Sequence, residues 1–379
     1  MATIRELVNT TLLRGSIGRP GAGLCPVRGH SNVQGDRTMG IYERPSDDFL
    51  DRLRAAVGFD PPRQPGYDTV AAIEAMADGA VDVFLAMGGN FAAAAPDTEV
   101  TAAALARCRL TVQVSTKLNR SHLLTGDEAL LLPCLGRTER DDTGGRDQLV
   151  SVEDSMSVVH GSRGRNEPAS PHLRSEVAIV CDLAARTVGS DVVDWTALAA
   201  DYDRIRDLIE QVVPGFEAVN ERVRHPGGFT LPNGPRDDRT FATPTHRAQL
   251  TVNRHEPIDV PPGRLLLQTI RSHDQYNTTI YGLDDRYRGI HHGRRVLLVA
   301  PADLAALGLT DGEVVDIVSE WTDGRERRAP AFRLVGYPTP PGTCAAYFPE
   351  ANVLVPLGST ADGSRTPTSK AVVVRLERP

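Results

Sequence analysis

The chain has 379 residues, of which 40% are hydrophobic and 5% aromatic, with a formal net charge of −7 at pH 7. This length exceeds one simple core and points to two or three domains. No apolar run reaches the roughly 18 residues of a membrane span, the N-terminal residues MATIRELVNTTLLRGSIG lack the layout of a signal peptide, and the acidic balance argues against nucleic acid as the main partner.

The first predicted element is a helix over TIRELVNTTLLRGS, with Ile4, Leu7, Val8 and Leu12 at helical spacing and Gly15 as its stop. Residues 23 to 40, GLCPVRGHSNVQGDRTMG, read as neither helix nor strand. There Gly23, Gly29 and Gly35 alternate with the polar Arg28, His30, Asn32 and Gln34, a pattern that wraps ligands. A helix is predicted to start after an N-cap at Ser46 and to end at Gly58. Helices at TVAAIEAMADG and TEVTAAALARC then alternate with strands at VDVFLAMGGN, LTVQVS and EALLLP, the pattern of a parallel α/β sheet.

Residues 139 to 171 read as a polar, irregular loop of the kind that is functional or disordered. Two amphipathic helices, LRSEVAIVCDLAART and DWTALAADYDRIRDLIEQV, follow, with a further helix expected at PGFEAVNERV. After a stretch rich in Pro, Gly and Arg come six short β-type runs, RLLLQTI, RRVLLVA, EVVDIVS, APAFRLV, TCAAYFP and AVVVRLE, with one small helix at PADLAALG. This is a β-barrel or sandwich pattern.

Within this frame, several clusters stand out. Arg28 presents a permanently charged donor fork beside His30 and suits an anionic substrate as well as buried carbonyls. Gly88, Gly89 and Asn90 end one predicted strand, and Ser115, Thr116, Lys117 and Asn119 end the next. Ligands of open α/β sheets bind outside such carboxyl ends, although each could be an ordinary turn. No GxGxxG or P-loop is present. The loop RSHDQYNTT, from Arg271 to Thr279, is dense in hydrogen-bonding groups and follows an apolar strand, which favours a ligand contact. Asp284 and Asp285 read as a turn, and His291 and His292 as surface. Lys117 and Lys370 are the only lysines in a chain that otherwise uses arginine, and they mark candidate positions for a compact ammonium. The five cysteines, Cys25, Cys108, Cys134, Cys181 and Cys344, show no metal spacing and no iron–sulfur pattern, which points to a reduced, cytoplasmic protein.

Taken together, GRPGAG, PVRG, SNVQG and MG at residues 18 to 40, IRSHDQYNTTIYG at 270 to 282, and the EANVLVP…SK ending resemble the C-terminal half of the molybdopterin bis-guanine-dinucleotide oxidoreductases, specifically the formate-dehydrogenase alpha-like subfamily. The resemblance implies an α/β fold with a parallel-sheet dinucleotide-binding-like domain, followed by a double-psi-type six-stranded β-barrel. Its expected layout is a helix and cofactor-facing loop of an incomplete domain at 1–45, an α/β domain at 46–230, a linker at 231–262 and the barrel at 263–379. The implied cofactor is bis-molybdopterin guanine dinucleotide with molybdenum or tungsten, with an iron–sulfur cluster only if an upstream part supplies it.

On the same resemblance Arg28 would orient a small substrate as the catalytic residue. His30 and Gln34 would lie near the pterin. Gly88, Gly89, Asn90, Ser115, Thr116 and Lys117 would meet the phosphates and guanine. Arg271, Ser272, His273, Asp274, Gln275 and Tyr276 would lie over the cofactor, with Asn352 and Lys370 as late barrel contacts. No residue of this chain is expected to ligate the metal. The expected partners are a small-molecule substrate and an N-terminal half or electron-transfer protein, without which the chain would be inactive. A non-catalytic cofactor-binding or delivery module, and a generic nucleotide-binding protein, are the competing readings.

Overall fold

The computed structural model describes residues 2–26, 31–254, 256–278 and 280–379. Arg28 and His30 lie outside the described residues. In chain order, β1 (Val83–Met87), β2 (Leu110–Ser115) and β3 (Glu128–Pro133) form one sheet in that order. β1 and β2 run parallel, with Val83 opposite Leu110 and Met87 opposite Val114. β4 (Val150–Glu153), β5 (Val158–Ser162) and the short β6 (Phe229–Thr230) form an antiparallel sheet. β7 (Leu265–Ile270), β8 (Val296–Val299), β9 (Val314–Ser319), β10 (Arg327–Gly336), β11 (Thr343–Tyr347) and β12 (Val372–Glu377) close a barrel in the order β10-β8-β11-β7-β12-β9. The parallel sheet and the closed six-stranded barrel expected from the sequence are both present.

The chain divides into two units that are discontinuous in sequence. One holds Thr69–Leu132 and Glu256–Pro379, the other Ala2–Asp68 and Pro133–His255. In the first unit, the barrel strands alternate inward and outward side chains, and Leu267, Leu297, Val315, Ile317, Phe332, Leu334 and Val374 fill the interior. Burying one such side chain stabilises the fold by about 1.5–3 kcal/mol. A second core packs helices Thr69–Ala77 and Thr98–Leu105 through Val70, Ile73, Met76, Ala104 and Leu105. Two polar ties bind this segment to the barrel. The buried Arg327 donates to Asp97 Oδ2 at 3.0 and 2.8 Å, and the buried Asn352 amide donates to the carbonyls of Ala93, Ala94 and Ala95. Asn352 thereby satisfies the open C-terminal carbonyls of helix Phe91–Ala94.

In the second unit, helix Ala2–Leu13 matches the sequence reading, and its Ile4, Leu7 and Leu13 are exposed. Helix Asp47–Val57 starts with Ser46 Oγ accepting from the Phe49 amide and ends at left-handed Gly58, as expected. Three readings need correction. Residues 23 to 40 are not wholly irregular, because Ser31–Thr38 forms a helix. Its weak intrinsic propensity is overridden by packing: Gln34 is buried, and the Thr38 hydroxyl donates to Glu153 on β4. The segment DWTALAADYDRIRDLIEQV is two helices, Trp195–Ala200 and Tyr202–Val212, broken where Asp201 turns extended. There Asp201 accepts from the Asp203 amide and pairs with Arg146 at 2.6 Å, so one residue caps a helix and anchors an ion pair. The polar stretch 139–171 also contains β4 and β5, which sequence alternation alone did not reveal.

Candidate functional site

The loop after β7 is built in two layers. Its inner layer is held by Arg294, which is 5% exposed. Arg294 donates to Ser272 Oγ at 2.8 Å, Gln275 Oε1 at 2.9 Å, the Phe348 carbonyl at 2.8 Å and Glu350 Oε1 at 2.7 Å. Gln275 also donates to the Phe348 and Asn277 carbonyls at 2.6 and 2.7 Å. Ser272 and Gln275 are therefore committed to shaping the loop. The outer layer, Arg271, His273, Asp274 and Tyr276, is exposed. Left-handed Asn277 turns the chain, and Tyr276 and Ile280 exchange backbone hydrogen bonds.

Lys370, just before β12, joins the base of this loop. Its ammonium donates to the Thr269 carbonyl and to Thr269 Oγ1 at 3.2 Å. Burial, reinforced by the nearby Arg271 charge, pushes this ammonium below the ordinary lysine value although the residue as a whole is exposed. Among the described residues neither Arg271 nor Lys370 has an ion-pair partner; Arg271 lies instead 5.7 Å over the Phe348 ring. Two cations at the end of one strand that lack an ion-pair partner among the described residues form a receptor for an anion.

The loops after β1 and β2 form a second group in the same unit. Gly88 and Gly89 are left-handed, at φ 69° and 74°, and a Cβ at either would meet nothing within 4 Å. Their backbone faces open space, as a phosphate cradle requires. Asn119 Nδ2 holds the Gly89 carbonyl at 2.7 Å. The buried Asn90 accepts from Ser121 Oγ at 2.8 Å, and Ser121 Oγ accepts from the Ala92 amide. Asn90 thus supports the turn. Ser115 Oγ donates to the Lys117 carbonyl at 2.8 Å, while Thr116 and Lys117 are exposed.

Sequence reasoning missed two supports here. His122 Nδ1 accepts from the Asn119 amide at 2.9 Å, which completes a reciprocal cap. Arg294 was not singled out because nothing in the local pattern around it differs from a solvated arginine. Asn352, expected as a cofactor contact, is spent on Ala93–Ala95. Gln34 lies in the second unit, on helix Ser31–Thr38. Among the described residues, no group of three or more His, Cys, Asp or Glu side chains could hold a metal.

The described residues suit an anionic dinucleotide: an open glycine pair, an unpaired Arg271 and a depressed Lys370 ammonium. Residues 265–373 match the molydopterin dinucleotide binding domain. An uncharacterized oxidoreductase of Mycobacterium bovis is 62% identical over the whole of this chain and 49% of its own length. The assimilatory nitrate reductase catalytic subunit of Bacillus subtilis is 21% identical over 84% of this chain and 46% of its own. The chain therefore spans about half the length of the curated relatives it matches. Among solved structures, acetylene hydratase from Pelobacter acetylenicus shares the fold, with a TM-score of 0.60 and 15% identity over 91% of this chain and 52% of that one. The domain match and the oxidoreductase relatives together support a C-terminal region of a molybdopterin oxidoreductase.

Proposed function

We propose that this chain is the portion of a molybdopterin-dependent oxidoreductase that grips one molybdopterin guanine dinucleotide, in the manner of formate dehydrogenases. The observation that carries the reading is the Lys370 ammonium fixed on Thr269, two residues before the exposed Arg271 at the end of β7, inside the matched domain. Arg271 and Lys370 would neutralise phosphate, and the Gly88 and Gly89 amides would donate to it. His273, Asp274 and Tyr276 would offer polar contacts from the outer face of the loop, with Ser115, Thr116 and Lys117 at the neighbouring strand end. Ser272, Gln275, Asn90 and Asn352 hold the loops that present these groups.

When bound, the cofactor supplies molybdenum or tungsten for electron transfer to or from the substrate. The protein supplies orientation and electrostatics. In this proposal Arg28 orients a small anionic substrate and His30 lies near the pterin, whereas Gln34, buried on its helix, supports that segment. A second dinucleotide, an electron-transfer partner and the expected domain boundaries belong to the same reading. So does a reduced cytoplasmic setting, which accords with four buried free thiols, Cys108, Cys134, Cys181 and Cys344. No helix among the described residues is long and apolar enough to cross a membrane.

The test is cofactor retention. The purified chain is loaded with cofactor, desalted and assayed for metal and acid-released guanine nucleotide. Each charge-assisted contact is worth about 1.5–3 kcal/mol, so Arg271→Ala and Lys370→Ala should each weaken retention roughly 10- to 100-fold. Loss should also steepen with salt in the wild type. Undiminished retention in both variants refutes the site. Retention without turnover in the completed enzyme supports the binding-or-delivery reading instead.

A further inference from the structure

Beneath the outer face of the β7 loop lies an arrangement that the cofactor grip does not require. Asp285 is 2% exposed and sits in a turn that bridges to Ile290. Its Oδ1 lies 3.0 Å from His273 Nδ1. Its Oδ2 accepts from Arg288 Nη1 at 2.6 Å and from the Tyr347 hydroxyl on β11 at 2.8 Å. These bonds draw the carboxyl down to about 2 despite its burial, so it is an anion at neutral pH.

An ionised carboxylate only accepts hydrogen bonds. The imidazole nitrogen facing it must therefore carry the proton. Arg288 Nη1 also lies 3.4 Å from His273 Nδ1, but its two protons have nearer acceptors, Asp285 Oδ2 at 2.6 Å and the Arg271 carbonyl at 3.1 Å. Tyr287 packs against the imidazole in a tilted arrangement, 4.4 Å between centroids. The Nδ1–H form leaves Nε2 of the neutral ring as a bare acceptor.

We propose that Asp285 is a positioning residue: it locks His273 in the Nδ1–H tautomer, so that Nε2 is presented as a hydrogen-bond acceptor for an N–H or O–H group of the bound cofactor. The proposal rests on the reading that the β7 loop faces the cofactor. It adds a chemical sign to that face, because Arg271 and Lys370 can only donate, whereas His273 can only accept in this tautomer. The loop would then recognise a ligand carrying both anionic oxygens and a polar hydrogen. Arg288 and Tyr347 keep the carboxylate ionised and aimed, in the way that buried partners orient a working imidazole.

The experiment uses the full chain with ¹⁵N-labelled histidine. Long-range ¹H–¹⁵N correlation reports the tautomer of each ring, and the His273 signals are assigned by their disappearance in His273→Gln. The wild type should show the Nδ1–H form at neutral pH. Asp285→Asn can donate its amide to Nδ1 and should switch His273 to the Nε2–H form. The same variant should weaken retention of the loaded cofactor about tenfold, with Arg271 and Lys370 untouched. Tyr347→Phe, which leaves the Asp285–His273 bond in place, should keep the wild-type tautomer. An Nε2–H or averaged tautomer in the wild type overturns the proposal, and this result needs no variant to fold. A switched tautomer with unchanged retention also overturns it, since Nε2 then faces no cofactor group. Failure of the cofactor reading itself shows separately, as unchanged retention in the Arg271 and Lys370 variants.

Discussion

In the loop after β7, one buried arginine makes bonds to Ser272, Gln275, Phe348 and Glu350, and a buried carboxylate gathers His273, Arg288 and Tyr347. In the loops after β1 and β2, the backbone itself is exposed, two glycines stand open, and the Ser115 hydroxyl binds only within its own turn. Both regions end strands and both are rich in donors. They differ in what keeps them in place. The β7 loop is held by charges buried under it, so its outward side chains are pre-aimed. The β1 and β2 loops are held at the edges by Asn119 and Asn90, so what they present is mainly backbone. One loop is suited to side-chain recognition and the other to close backbone approach.

Mutation separates these two modes. The largest effect is expected for Arg294→Met, which strands the Glu350 carboxylate and releases Ser272 and Gln275. Breaking a buried pair in this way costs about 3–5 kcal/mol, read as a large fall in the urea midpoint of the unit containing the barrel. Acid should act next. The Asp285 carboxyl is held near 2, below its unfolded value, so its stabilisation is present above about pH 4 and is lost as pH falls from there toward 2. A shift of that size is worth on the order of 2–3 kcal/mol, and Asp285→Asn should flatten this part of the acid-denaturation profile.

Asn352→Ala removes the donor from three carbonyls and should destabilise by about 1–3 kcal/mol, measured in the same urea titration. Gly89→Ala meets no atoms and should cost only the left-handed penalty of about 1–2 kcal/mol. If the glycine pair cradles phosphate, this variant should lose cofactor out of proportion to its stability. Ser115→Ala, at the exposed end of β2, should change stability by less than about 0.5 kcal/mol. A large effect there would mean that the β2 loop is as tightly wired as the β7 loop.

Much of the fold was legible because its signals are local. Ser46 and Gly58 bracket a helix through their own capping chemistry, and the apolar runs from Leu265 to Glu377 show the short strands of a barrel or sandwich. The helix at Ser31–Thr38 was not legible, because its propensity is poor and its stability comes from a buried Gln34 and from Glu153, more than a hundred residues away. Asp285 was legible only as a turn. Its turn geometry is local, but the His273 and Tyr347 that give it a second role arrive from positions 12 and 62 residues distant.

The amino-acid order alone determined which segments alternate, where strands end in glycine or polar side chains, and that Lys370 is one of two lysines among many arginines. The first two follow from backbone sterics and the periodicity of side chains along helices and strands, and the third is composition. Only the tertiary structure decided which polar residues face outward and which are consumed as supports. It turned Ser272, Gln275 and Asn352 inward and brought Arg271 beside Lys370. The physical reason is that a buried polar group must find partners wherever the fold supplies them, and those partners lie far away in sequence.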